Sequence, residues 1–372
     1  MRSRASLVFP LAIWGVAAAG VAAVAHLHGY DPFDSASWAR WDSIHYQGIA
    51  RDGYDLYQCP PGVWPKPHAW CGDAGWFPGY PWLVRGLHLF GLPIRGTAAV
   101  LSVVFTAGTI VLVWSTFFRR RRDAAVALAL AYAAWAPGQV YDYAVFPLSM
   151  LAFFTVAHLW LLHRGRYLAA GLTGFAAVLS YPLGVLLVPV SAVWLIAERG
   201  PSISERLRRI ALSSGLALAG FVTLLVDQAI ETGHWNAYFL VQSNYRHTFQ
   251  NPVAATRDSL RPLVDGTAID IYSARGVQTA VVTAALVAVF VHALLRRRSL
   301  ERVDWLLLLW AFATWALPLA QGDVSLQRSQ AALLPLAILV VRLPRPLIGA
   351  LVAVAIPVAV LMEKLFLDGK IT

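Results

Sequence analysis

The sequence predicts an all-α polytopic membrane protein with about eleven transmembrane helices. Three observations carry this. The chain of 372 residues is 58% hydrophobic and only 13% charged, well outside the globular range. Apolar runs long enough to cross a hydrocarbon core recur along its whole length. The basic residues gather in short segments between those runs. Segments 1–4, 119–122, 163–166, 198–209, 296–302 and 342–345 hold 18 of the 30 lysines and arginines. Helices rather than barrel strands follow, because lipid offers no partner for backbone N–H and C=O groups and the runs are long and uniform.

In order, the predicted spans are 7–26, 96–118, 123–137, 145–162, 167–181, 183–197, 210–230, 276–295, 303–319, 329–341 and 346–365. The first is read as a retained anchor rather than a cleaved signal peptide, since its apolar region is long and more spans follow. With the N-terminus inside, every basic segment falls on the cytoplasmic side and the C-terminus lies outside. Residues 76–92, "WFPGYPWLVRGLHLFGL", are apolar enough to suggest another span, but counting it would put Arg119 to Arg122 outside. They are read instead as an interfacial or half-inserted helix. Spans 167–181 and 183–197 are short and are expected to form a hairpin around "SYPLG". The whole chain, 1–372, is read as one transmembrane domain with two large outer loops, 27–95 and 231–275. The formal charge of +10 is accounted for by the membrane-flanking arginines, so no nucleic-acid partner is implied.

The segments rich in chemistry share the side opposite the arginines: 27–95, 136–144, 180–184, 231–275 and 321–330. Few ionisable residues occupy span centres, which argues against a pump or carrier. The densest stretch is "WARWDSIHYQGIARDGYD", residues 38–55. Taken as a helix, it places Trp38, Asp42, His45, Tyr46 and Ile49 on one face. Arg40, Gln47 and Arg51 lie opposite, and Trp41, Ile44 and Gly48 form an apolar strip. Asp42 in a partly dry interfacial pocket is a plausible general base. The competing reading is an acid suited to the first turns of a helix capped by Ser35 or Ser37. Cys59 and Cys71, the only cysteines, lie in the same outer loop and are expected to form a disulfide in an oxidising compartment. In the later loop, Arg246 and His247 read either as interface anchors or as ligand contacts. Arg328 opens a span and could hold a lipid phosphate as a charged fork, or could simply snorkel.

"RWDSIHYQGIARDGY" (40–54) followed by "WFPGYPWLVR" (76–85) resembles the signature of the PIG-V-like mannosyltransferases, a family of the GT-C superfamily of membrane glycosyltransferases. "APGQVYDYAVF" (136–146) and "LQRSQAALLPLAIL" (326–339) are weaker echoes. Where the family has Tyr-Ser/Thr-Glu this chain has Phe146, Pro147 and Leu148, and "SYPLG" stands where the family has an arginine. The resemblance implies a GT-C-like bundle with interfacial helices in the first outer loop. It implies inverting transfer of a mannosyl residue from a polyprenyl-phosphate-linked donor to a hydroxyl of a lipid or glycan acceptor. Asp42 takes the place of the family's first-loop acid, the expected base. Arg40, His45, Tyr46, Tyr80, Asp142, Arg246, His247 and Arg328 are the candidates for donor or acceptor binding. No cofactor is required and no metal ligands are assigned, with a divalent ion left open. The expected partners are the lipid-linked donor, the acceptor and membrane lipids, and the expected place is a bacterial plasma membrane with the site facing outward. The alternatives are the same chemistry with another sugar, or a non-catalytic membrane subunit or lipid-glycan transporter.

Overall fold

The computed structural model describes residues 7–64, 68–245, 249–265, 271–297, 300–322 and 326–371. In chain order the helices begin with α1 (Val8–Leu27), α2 (Ser43–Asp52), α3 (Gly79–His88), α4 (Ile94–Thr116) and α5 (Ala124–Ala134). Next come α6 (Val140–Tyr143), α7 (Leu148–His163), α8 (Tyr167–Ser180), α9 (Leu187–Ile196), α10 (Ile203–Ile210) and α11 (Leu216–Thr232). The remainder are α12 (Ala237–Gln242), α13 (Pro252–Val264), α14 (Ile271–Leu295), α15 (Arg302–Ala320), α16 (Leu326–Ala331), α17 (Leu336–Val340) and α18 (Arg345–Leu367). A small antiparallel pair, β1 (Tyr57–Gln58) and β2 (Trp70–Cys71), closes the first large loop.

This is an all-α polytopic membrane fold. Among the described residues, six helical segments are long and apolar enough to cross a bilayer: α1, α4, the continuous α10–α11 segment, α14, α15 and α18. Four shorter apolar segments, α5, α7, α8 and Pro182–Ile196, pack among them. Local chemistry sets several boundaries. Asp123 caps α5, its Oδ1 accepting from the amides of Ala125 and Val126 at 3.1 and 3.2 Å. Glu301 and Asp304 form a capping box at the start of α15. At Gly171 a Cβ would meet the Leu212 carbonyl, so glycine there lets α8 lie directly against the α10–α11 segment.

Two expectations need correction. The span predicted over 329–341 is not one helix. It is α16 and α17, joined by a turn that ends at Pro335, whose missing N–H cannot continue a helical ladder. Residues 326–340 are all buried, which is how irregular backbone is tolerated at membrane depth. The helix expected from Trp38 onward starts only at Ser43, because Trp41 takes the left-handed conformation (φ 48°).

Residues 76–92 hold one short helix. The ten residues of α3 are about 15 Å long, half a hydrocarbon core. At the start of α4, Arg95 reaches Gln47 of α2 at 3.4 Å, so the chain enters and leaves this region at one end of the bundle. That end also holds the turns at 136–144 and 181–186, the α11–α12 junction and α16. Trp38 O accepts from Val145 N at 3.0 Å, and Gln228 Nε2 donates to Ala74 O at 2.7 Å. Among the described residues, arginine segments meet at the other end: Glu198 pairs with Arg209 at 3.0 Å and with Arg302 at 2.8 Å. The division into a loop end and an arginine end matches the grouping read from sequence.

Candidate active site

Asp42 stands at the N-cap of α2, yet its carboxylate makes no capping hydrogen bond. A capping interaction is worth about 1 kcal/mol, and here the carboxylate is turned to other partners. Its Oδ2 accepts from Trp76 Nε1 at 2.9 Å and from Arg328 Nη1. Asp42 is 22% exposed and Arg328 8%, so this ion pair lies where solvent screens little. Burial pushes the Asp42 carboxyl up. The Arg328 charge, the hydrogen bonds from Trp76 and Arg328, and the nearby His45 outweigh it and hold it below its ordinary value.

The second half of the cluster comes from the disulfide-closed loop. Cys59 and Cys71 are bonded, with Cα atoms 5.0 Å apart. Two residues on, a short 3₁₀ turn at Asp73–Gly75 places Asp73 Oδ1 2.5 Å from His45 Nδ1. The His45 ring stacks on Trp76, with centroids 3.5 Å apart and planes 15° from parallel. A carboxylate–imidazole pair orients the ring and fixes which nitrogen carries the proton. Gly48, one turn along α2, makes room: a Cβ there would collide with the Asp73 carboxylate. The loop is held from the far side by α11 and α12. Besides Gln228, Gln242 Nε2 donates to Gly75 O at 2.9 Å, and Asn244 Nδ2 to Trp70 O at 2.6 Å. Tyr54 Oη donates to Trp76 O at 2.8 Å, and Glu231 accepts from the Tyr54 amide.

The walls are aromatic. Tyr46 is buried edge-on to Tyr80 (6.2 Å) and Phe146 (5.8 Å). The Arg328 guanidinium lies 5.8 Å from the centroid of Phe146. Tyr181 and Tyr245 lie close enough to feel both Asp42 and Arg328. Thus Phe146 of "FPL" and Tyr181 of "SYPLG" both lie beside the cluster. Trp41 and Ile44, on either side of Asp42, are 46% and 67% exposed, an apolar rim suited to the membrane interface.

The structure therefore brings Asp42, His45, Tyr46 and Arg328 together. Tyr80 supports from behind, donating to Ala98 O at 2.6 Å and pairing with Ser102 at 2.9 Å. Arg40 is not in the cluster: its guanidinium lies 5.6 Å from the centroid of Tyr30. Asp142 is also apart, buried on α6 beside Tyr143 and sharing that residue's surroundings with Glu363. Arg246 and His247 lie outside the described residues. Sequence reading missed Asp73 and the direct role of Trp76. The available signal was their position, within a few residues of Cys71 in the loop that carries the motif. Among the described residues no group of three or more His, Cys, Asp or Glu side chains could hold a metal ion.

Similarity to solved structures enters here. The chain superposes on ArnT from Cupriavidus metallidurans, crystallised with undecaprenyl phosphate, with a TM-score of 0.54 at 15% identity, over 89% of this chain. The fold is GT-C-like. The match spans 59% of the ArnT chain. No protein-family model and no curated protein sequence matches this chain.

Proposed function

We propose that this chain is a PIG-V-like, inverting glycosyltransferase that moves a mannosyl residue from a polyprenyl-phosphate carrier to a hydroxyl of a lipid or glycan acceptor. The observation that carries the reading is the buried Asp42–Arg328 pair at the loop end of a GT-C-like bundle. It joins the two groups this chemistry needs, a base for the acceptor and a cation for the leaving phosphate. The reported lipid ligand of ArnT supports a polyprenyl phosphate as the carrier. The site would face outward from a bacterial plasma membrane, as the arginine-rich opposite end favours.

The steps follow from the groups present. A phosphate is already a good leaving group, so the acceptor hydroxyl is the poor partner. Asp42 accepts the hydroxyl proton as the oxygen attacks the anomeric carbon. The bond from that carbon to the phosphate oxygen breaks on the opposite face, which inverts the centre. The electron pair leaves on the polyprenyl phosphate, beside Arg328. A guanidinium has five N–H donors in a planar fork, so Arg328 can hold phosphate while still touching Asp42. Charge developing on the phosphate in a dry site is stabilised more than it would be in water.

The test is transfer by the purified chain in bilayers, using polyprenyl-phosphate mannose and polyprenyl-phosphate glucose as donors. Mannosyl transfer lost in Asp42→Asn supports the reading. Transfer from the glucosyl donor alone would change the sugar. No transfer from either, with no binding of polyprenyl phosphate, would overturn it.

A further inference from the structure

At the arginine end, a cavity of about 430 Å³ opens between the ends of α4, α7, α15 and α17. Its ionisable lining is Arg119, Arg121, His163, Arg164 and Arg342, against two acids, Glu301 and Asp304. Four arginines against two carboxylates leave an excess of two positive charges. The acids are already committed: Arg119 pairs with Glu301 at 3.2 Å, and Arg342 with Asp304 at 3.2 Å and Glu301 at 3.4 Å. Among the described residues Arg164 forms no ion pair, and Arg121 pairs only with Asp123, a partly exposed acid at the start of α5. The floor is apolar, built from Phe117, Phe118, Trp160, Leu307 and Ile338.

The rim is fixed. Trp114, fully buried, donates from Nε1 to Arg121 O at 2.7 Å. Arg119 and Arg120 are both left-handed (φ 49° and 60°), folding the chain back over the end of α4. Two consecutive non-glycine residues in that conformation are costly and persist only where the surroundings hold them. A cationic rim over an apolar floor at the end of membrane helices has the chemistry of a phospholipid headgroup and its first acyl carbons.

We propose that this cavity binds the phosphate headgroup of an anionic diacyl phospholipid. The apolar floor favours a lipid over a free anion, and the excess positive charge favours an anionic headgroup over a zwitterionic one. The site lies at the opposite end of the bundle from Asp42 and does not rest on the proposed transfer reaction.

The full chain in neutral detergent is titrated with mixed micelles containing phosphatidylglycerol or phosphatidylcholine, and separately with inorganic phosphate. Binding is followed by the rise in the thermal unfolding midpoint. Phosphatidylglycerol should raise it, and the other two should not. Each basic side chain near a membrane anion contributes about fivefold in affinity. The double variant Arg121→Gln/Arg164→Gln should therefore bind phosphatidylglycerol about 25-fold more weakly. Arg199→Gln/Arg345→Gln removes the same charge from the same end but outside the cavity, and should bind like the wild type. Equal weakening by both double variants would reduce the effect to diffuse attraction and overturn the site. So would an equal response to phosphatidylcholine, a matching shift from inorganic phosphate, or full affinity in Arg121→Gln/Arg164→Gln.

Discussion

Arg328 donates to the Asp42 carboxylate across 286 positions of sequence. The pair ties the start of α2, in the first large loop, to α16, the first half of the broken helix near the C-terminus. It is at once a structural clasp and the centre of the proposed chemistry, and the two roles can be separated by measurement.

Asp42→Asn keeps the shape but removes the charge. Transfer should fall by roughly 10²–10⁴-fold, the range general-base catalysis supplies. The variant also leaves the Arg328 charge buried without its counter-ion, a loss of about 3–5 kcal/mol for a buried pair. Asp42→Asn combined with Arg328→Gln removes both charges and should recover part of that stability without recovering activity. Rates and thermal midpoints on the same preparations decide it. If the double variant regained transfer, Asp42 would not be the base.

The depressed Asp42 carboxyl sets a pH dependence with a definite sign. Because the folded value lies below the unfolded one, its stabilisation is complete above the ordinary carboxylate range, near 3.9. It is lost as pH falls through the lower folded value. Unfolding midpoints attributable to Asp42 should therefore be flat from neutrality to about pH 5 and fall only in stronger acid. The same ionisation should govern the acid limb of transfer. An acid limb near neutrality that Asp42→Asn abolished would contradict the assignment.

The Cys59–Cys71 bond closes a small loop whose C-terminal side leads directly to Asp73 and Trp76. A loop of this size stabilises by about 3 kcal/mol on the chain-entropy estimate. Reduction, or Cys59→Ser with Cys71→Ser, should lower the thermal midpoint and reduce transfer by loosening Asp73 and Trp76. Donor binding at Arg328 should change less. A reduced protein with an unchanged midpoint and rate would show that contacts to Gln228, Gln242 and Asn244 alone hold the loop.

Several of these features were legible in the sequence for identifiable reasons. Hydropathy marks helices such as α4 and α18 because lipid imposes one backbone solution. The arginine segments mark one end of the bundle because basic side chains stay in the short loops on one side of a membrane. The motif around Asp42 was visible as an unusual density of polar chemistry beside an apolar run. What stayed hidden depends on tertiary choice. Nothing local to Trp41 announces a left-handed residue, so the pattern places the helix start five residues early. Pro335 could have signalled the break between α16 and α17, but a short apolar run with a proline also fits a kinked span. Asp73 has no periodicity to betray it, and only the fold brings it to His45.

Gly48 provides the sharpest test of the His45–Asp73 pair. A Cβ at this position would run into the Asp73 carboxylate, while helix propensity alone would favour alanine by up to about 1 kcal/mol. Local and tertiary effects therefore predict opposite signs. Gly48→Ala should push Asp73 off His45 and loosen the stack on Trp76, which also donates to Asp42. Transfer should fall even though α2 becomes intrinsically more helical. Asp73→Asn, which keeps the volume and removes the charge, should lower the rate in the same direction. Gly48→Ala in an Asp73→Ala background should be nearly neutral, because the obstructing carboxylate is gone. Equal losses from Gly48→Ala in both backgrounds would mean that Gly48 serves the backbone of α2 rather than the pair.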